Sequence, residues 1–180
     1  MLSHPVIKFL RRFYRGNTAA ILGSLIVVTV IIMSVSASLI AENEPNKRVA
    51  RGHQPPSAEL WLGSTRSGKD VFSQVLHGGK ISLLVAFGAA VITTVIAVVV
   101  GVSAGYFGGR VDEILMSITN IVLVFPQLPL LIILAAFLGQ VGPLIIALII
   151  GLSSWAWGAR VIRSQTMTIR NKEFILAAEV

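Results

Sequence analysis

The sequence predicts an all-α integral membrane protein with four transmembrane helices. Of its 180 residues, 54% are hydrophobic and only 13% are charged, and the mean hydropathy is +0.82, which is not the balance of a water-soluble domain. Asp, Glu, Lys and Arg are also absent from three long windows, residues 16–41, 81–109 and 114–159.

Membrane-spanning helices account for these windows. A helix rises about 1.5 Å per residue, so roughly 20 apolar residues cross about 30 Å of hydrocarbon. The first two windows each hold one span. The third is too long for one span and holds two, separated by a Gly- and Pro-containing turn at residues 139–143. The predicted spans are residues 19–40, 81–107, 114–138 and 144–159.

The N-terminal segment, residues 1–18, carries four basic residues before the first span, which is typical of a cytoplasmic flank. Small residues at positions 36–38 leave a cleaved signal peptide as the alternative. The apolar run of about 22 residues exceeds the roughly 7 to 15 of a signal-peptide core, so an uncleaved anchor is the preferred interpretation.

With the N-terminus inside, residues 41–80 are extracytoplasmic and residues 160–180 are cytoplasmic. Nine Lys or Arg residues then lie inside and six outside, a weak bias in the expected direction. Within the extracytoplasmic segment, Val71, Phe72, Val75 and Leu76 recur at helical spacing. They predict a short amphipathic helix on the membrane surface.

Residues 63–69 match the nucleotide-binding pattern G-x-x-x-x-G-K, but Asp70 stands where a magnesium-binding Ser or Thr is required. A carboxylate there repels phosphate, and no strand precedes the loop. The chain has no cysteine, and the predicted spans contain no acidic, basic or histidine side chain. The sequence therefore predicts no catalytic residue, no metal site and no bound cofactor.

The second span carries a small residue at every fourth position, namely Ala97, Gly101, Gly105 and Gly109. Small residues at this spacing let two helices approach closely in a membrane. We predict that another helix packs along this stripe.

Two prolines interrupt the third span. Pro126 and Pro129 each remove a backbone donor and crowd the preceding turn, which predicts a kink near Phe125. Asn120 and Gln127 are polar side chains beside this kink. They indicate either hydrogen bonds between helices or the wall of a translocation path, and the residues alone do not decide between the two.

The tail after the last span resembles a docking segment. Asn171 can cap a short helix with Glu173 in its first turn. Phe174, Ile175 and Ala178 then share one face, which is suited to a groove on another protein.

Four segments resemble, in the same order, permease subunits of the dipeptide and oligopeptide class of ABC importers. They are LGSTRSGKDVFSQVLHGGKISLLV at 62–85, GYFGGRVDEILM at 105–116, FP at 125–126 and ARVIRSQTMTIRNKEFILAAEV at 159–180. The net charge of +7 could suggest nucleic acid, but the basic residues flank the spans, so no nucleic-acid partner is predicted.

The resemblance implies a six-span subunit of a bacterial or archaeal inner membrane. Its partners would be a second permease subunit, two cytoplasmic ATPase subunits and an extracytoplasmic substrate-binding protein. The loop after the fourth span corresponds to the family's EAA motif, and the match identifies Glu173, Phe174, Ala177 and Ala178 as ATPase contacts. Leu176 replaces the usual Glu, and the motif's glycine would follow position 180, so the chain looks truncated within this loop.

Two functions therefore remain. The resemblance implies a non-catalytic permease subunit that carries peptides, metal chelates or oligosaccharides, with ATP hydrolysed by its partners. The alternative is a four-span membrane scaffold or assembly protein, whose basic tail would bind anionic lipid or a soluble partner.

Overall fold

The computed structural model describes residue 14, residues 16–139 and residues 142–172. Within these residues the secondary structure is helical, without strands, and the all-α membrane fold is confirmed. The helices are α1 (Thr18–Val35), α2 (Ala37–Ile40), α3 (Val71–Phe107), α4 (Gly109–Val124), α5 (Gln127–Leu138) and α6 (Pro143–Arg170).

Helices α1, α3 and α6 are each long and apolar enough to cross a membrane, and α4 with α5 forms a bent fourth candidate. The described residues thus contain three or four candidate spans, and the six implied by the family resemblance are not confirmed. The chain divides into two compact units, Met1–Leu83 and Leu84–Val180.

In the first unit, α1 begins where the side chain of Asn17 caps it by accepting from the backbone N–H of Ala20 at 3.1 Å. The helix ends at Val35, and after Ser36 the short α2 continues to Ile40. The residues predicted as one span, 19–40, therefore form two consecutive helices.

Helix α3 is a single helix of 37 residues, about 55 Å long at 1.5 Å per residue. It begins at Val71, so the residues predicted as a separate surface helix form its first turns. Asp70 starts it: the carboxylate accepts from the N–H of Phe72 at 3.0 Å and the carbonyl from the N–H of Gln74 at 3.1 Å. No proline lies between the two predicted segments, so the helix continues without a break.

In the second unit, α6 packs beside α3 in the same direction, because partner numbers on α6 rise with those on α3. Neighbouring pairs along the two helices are Gly88 with Ala147, Ile92 with Gly151, Ala97 with Gly158, and Gly105 with Thr166. Parallel neighbours require the intervening chain to return across their length. Helices α4 and α5 together make that return.

The return is broken at Phe125 and Pro126, where α4 and α5 meet at 74°. Pro126 has no N–H to continue the ladder of α4, and its carbonyl instead accepts from Leu130 at 3.2 Å within α5. Helix α6 continues past the predicted end of the fourth span to Arg170, and Asn171 follows as its C-cap.

Candidate functional site along α4, α5 and α6

The stripe of small residues on α3 lies against α6 over most of its length. Ala97 is buried in a cluster with Trp155, Ala156 and Ala159. A Cβ atom at Gly101 would lie 2.6 Å from the carbonyl oxygen of Ala159, and one at Gly105 would lie 2.8 Å from that of Arg163. Only glycine lets the two backbones approach this closely.

Gly109 lies outside this contact. It is the first residue of α4 rather than part of α3, and a Cβ there would have nothing within 4 Å. Its φ of +51° lies in the left-handed region that favours glycine. The chain reverses direction at this point, so Gly109 serves the turn between the two helices.

Among the described residues, three polar side-chain contacts join the broken segment to α6. Arg163 donates to both carboxylate oxygens of Asp112, Arg160 Nη2 donates to Asn120 Oδ1 at 2.5 Å, and Gln127 Nε2 donates to Ser154 Oγ at 2.5 Å. Along this series the residue numbers rise on α4 and α5 and fall on α6, as expected of antiparallel neighbours. The contacts form a row along α6 from its C-terminal half to the level of the break.

The ion pair between Asp112 and Arg163 is the part of this row that sequence reasoning missed. Among the described residues, it is the one ion pair that the structure contains. Its two side chains are 20% and 30% exposed and lie 51 positions apart in the chain. The signal in the sequence was an acid in the first turn of α4 and a basic residue beyond the fourth span.

A pocket of about 290 Å³ opens at the break between α4 and α5. Its wall is apolar except for two polar side chains, as is usual for pockets that take small organic solutes. The lining residues are Val122, Phe125, Gln127, Leu130, Leu134, Ile149, Leu152 and Ser153. Of the residues predicted for a translocation path, Gln127 lines this pocket and Pro126 forms the break. Asn120 lies before the break on α4, where it accepts from Arg160.

The four residues expected to contact an ATPase, Glu173, Phe174, Ala177 and Ala178, lie outside the described residues. The described part of the chain ends at Lys172, two residues after the last residue of α6.

The nucleotide-like pattern at 63–69 has a structural use in the loop before α3. Gly63 and Gly68 have φ angles of +71° and +78°, and a Cβ at either would collide with a backbone carbonyl, of Gln54 or of Ala50. Ser64 is buried and bridges the loop, donating to the carbonyl of Gly52 at 2.7 Å. In the described part of the chain, no group of three or more His, Cys, Asp or Glu side chains could hold a metal ion.

Asp70, the residue that departs from the nucleotide-binding pattern, fastens this loop to α3. Burial alone raises its pKa, but hydrogen bonds from Ser73 Oγ at 2.6 Å, from Asn43 Nδ2 at 3.3 Å and from the Phe72 N–H outweigh burial. Together they lower the pKa of Asp70 below its ordinary value of 3.8.

Replacing Asp70 by Ala removes a helix cap and leaves the buried Ser73 hydroxyl without its acceptor. We expect the first turn of α3 to lose about 1–2 kcal/mol of local stability, the usual range for a lost cap. Faster amide hydrogen exchange at residues 72–74 would report this loss. Asp70→Asn keeps a capping oxygen but loses the charge, so its loss should be smaller than that of Asp70→Ala. Equal exchange in wild type and Asp70→Ala contradicts the prediction.

The same carboxylate predicts an acid dependence. Because its pKa is lower in the folded protein, the charged form of Asp70 stabilises the fold above the ordinary pKa of 3.8. That stabilisation is lost as the pH falls through the lowered, folded-state pKa. The difference in hydrogen exchange between wild type and Asp70→Asn, measured at matched pH, should persist at neutral pH and vanish in strong acid. A constant difference across this pH range contradicts the role given to the charge.

The chain matches a known protein family over its C-terminal half. Residues 97–180 match the family of binding-protein-dependent transport system inner membrane components. This region includes the stripe of small residues on α3, the α6 helix that packs against it, the broken segment and the row of polar contacts.

Several curated proteins are similar along most of the chain. The oligopeptide transport system permease protein OppC of Bacillus subtilis is 31% identical over 92% of this chain and 54% of its own length. The dipeptide transport system permease protein DppC of the same organism is 34% identical over 93% and 52%. The nickel transport system permease protein NikC of Escherichia coli K12 is 34% identical over 69% and 45%. The chain spans about half the length of these relatives.

Proposed function

Because the chain belongs to the family of binding-protein-dependent transport inner membrane components, we propose that it is a transmembrane permease subunit of an ATP-driven importer. In that role it forms part of the translocation path for peptides or similar small solutes and couples to cytoplasmic ATPase subunits. The relatives are named for transport of oligopeptides, dipeptides and nickel, and the solute class is taken from them.

The broken segment formed by α4 and α5 is the observation that carries this proposal. A helix interrupted at membrane depth exposes backbone groups, and it is tolerated where protein or a polar cavity satisfies them. Here the break at Pro126 borders a pocket with Gln127 in its wall. In this proposal, Asn120, Pro126 and Gln127 lie along the path.

The free energy for transport would come from partner subunits. The chain's one nucleotide-like pattern is used by the loop before α3, where its glycines and Asp70 have structural contacts. Under the proposal, Glu173, Phe174, Ala177 and Ala178 contact the ATPases, a second permease completes the membrane domain, and an extracytoplasmic binding protein delivers the solute.

The direction of α6 supports this arrangement. Helices α3 and α6 run parallel, so both cross toward the same side. With the N-terminus in the cytoplasm of a bacterial or archaeal cell, that side is the cytoplasm, where ATPases could reach residues 173–178. A thiol or protease probe that reaches an engineered site near Asn171 from outside intact cells would contradict this topology.

Purification from native membranes in mild detergent, followed by mass spectrometry, tests the proposal. We expect recovery of a second permease and ATPase subunits, and ATP-dependent uptake of peptide once the complex is reconstituted with its binding protein. Recovery of neither partner favours the alternative, a membrane scaffold or assembly protein.

A further inference from the structure

Among the residues that the structure describes, Arg163 has an acidic partner and Arg160 has none. Arg163 is neutralised by Asp112, whereas Arg160 is exposed and donates to the neutral side chain of Asn120. Within the part of the chain that the structure describes, no carboxylate lies within ion-pair distance of Arg160. A guanidinium carries five N–H donors, so most of its binding capacity remains open.

Asn120 adds donors at the same place. Its Oδ1 accepts from Arg160 at 2.5 Å, and its amide nitrogen donates to no residue that the structure describes. A guanidinium fork beside an amide N–H₂ group is a donor set that suits a carboxylate, which has two oxygens and about four lone-pair positions.

Arg160 also lies on the same side of α6 as the pocket. Ser153, which lines the pocket, precedes Arg160 by seven residues, which is two helical turns or about 10 Å along one face. An extended peptide covers about 3.3–3.6 Å per residue, so a chain of three residues spans this distance. An apolar side chain in the pocket and a terminal carboxylate at Arg160 can belong to one molecule.

We propose that Arg160 and Asn120 form a binding site for the carboxylate of the transported solute, next to the apolar pocket at the break. This inference rests on the proposed function and names its substrate class as peptides with a free C-terminal carboxylate. Anionic lipid headgroups offer the same chemistry to an exposed arginine, and the test separates that source from the solute.

The experiment uses the importer purified with its partner subunits and binding protein and reconstituted in vesicles. The probes are trialanine and trialanine amide, which differ only in the terminal charge. We expect the ratio of kcat/KM for the acid to that for the amide to fall about tenfold in Arg160→Gln, the factor that corresponds to one lost interaction of about 1.4 kcal/mol. Arg160→Lys keeps the charge without the fork and should fall by about threefold.

Arg110→Gln is the matched control, because Arg110 is another exposed arginine and it lies on α4 away from the pocket lining. Its ratio should equal that of wild type. An unchanged ratio in Arg160→Gln, or an equal loss for both peptides, overturns the carboxylate site. A ratio change that appears only in vesicles rich in anionic lipid assigns Arg160 to the headgroups instead and also overturns it.

The two proposals fail in different ways. If the wild-type complex transports neither peptide and binds no ATPase, the proposed function is wrong and the site falls with it. If the wild type transports both peptides and Arg160→Gln keeps the wild-type ratio, the carboxylate site alone is wrong.

Discussion

Alanine at Gly101 is expected to prevent stable packing of α6 on α3, whereas alanine at Gly78 in the same helix is expected to be tolerated. The added Cβ at Gly101 would lie 2.6 Å from the carbonyl oxygen of Ala159 and 2.8 Å from the Cβ of Ile162. Neither atom is the end of a flexible side chain, so the two helices must separate. Overpacking of this kind usually costs about 1–3 kcal/mol.

The control isolates this contact from helix propensity. A methyl group added at Gly78 would meet no described residue within 4 Å, and alanine favours a helix over glycine by about 1 kcal/mol at either site. Gly78→Ala should therefore keep or slightly raise the apparent melting temperature in mild detergent. Gly101→Ala should lower it and reduce the monodisperse fraction, and equal behaviour of the two variants would contradict the close approach.

A loss of α6 packing should also be visible in assembly. Helix α6 leads directly into the segment proposed to contact ATPases, so its displacement at Gly101 moves that segment as well. We expect less ATPase to purify with Gly101→Ala than with Gly78→Ala at equal amounts of folded permease.

The sequence predicted this interface better than it predicted the partner. Spacing by four placed Ala97, Gly101 and Gly105 on one face, since that face follows from helical geometry alone. Which helix covers the face depends on how the intervening chain returns, and composition does not encode it. The same pattern included Gly109, where a left-handed φ, rather than packing, accounts for glycine.

Local chemistry likewise predicted the break but not its contacts. Pro126 lacks a backbone donor wherever it stands, so a kink near Phe125 could be expected from sequence. The partners of Asn120 and Gln127 could not, because Arg160 and Ser154 lie 40 and 27 residues away. Contacts of this kind depend on the antiparallel register of α4 and α5 with α6.

In the loop before α3, a sequence pattern suggested a function that the structure does not support. Its glycines and lysine match a nucleotide-binding pattern, and among the residues of the motif only Asp70 departs from it. The structure supplies the reason for the acid, because a carboxylate at this position caps a helix and binds Ser73 and Asn43. The role of this short motif therefore depends on the helix that follows it, because Asp70 caps that helix.

The second large effect is expected at the ion pair between Asp112 and Arg163. Replacing Asp112 by Asn leaves the Arg163 guanidinium without its counter-charge while keeping the shape of the side chain. Loss of one partner from a buried pair costs about 3–5 kcal/mol. Because these side chains are 20% and 30% exposed, solvent screens the pair and we expect a smaller loss, of about 1–2 kcal/mol.

This pair directly joins α6 to the beginning of α4. Arg163 lies two turns before Arg170, where α6 ends, and Asp112 lies in the first turn of α4. A displacement of the segment after α6 would therefore reach α4 through this pair, while the break at Pro126 lets α5 respond separately. In Asp112→Asn we expect ATP hydrolysis by the proposed importer complex to continue and solute uptake per ATP to fall several-fold.

Exchange of the two charges distinguishes this tie from a general loss of stability. The double variant Asp112→Arg with Arg163→Asp restores an attractive pair and should recover part of the uptake per ATP that either single variant loses, a coupling that a double-mutant cycle measures directly. Asp112→Asn combined with Arg163→Gln should not recover it, although it removes the unpaired charge. If both double variants behave alike, the pair supports the fold but does not transmit motion.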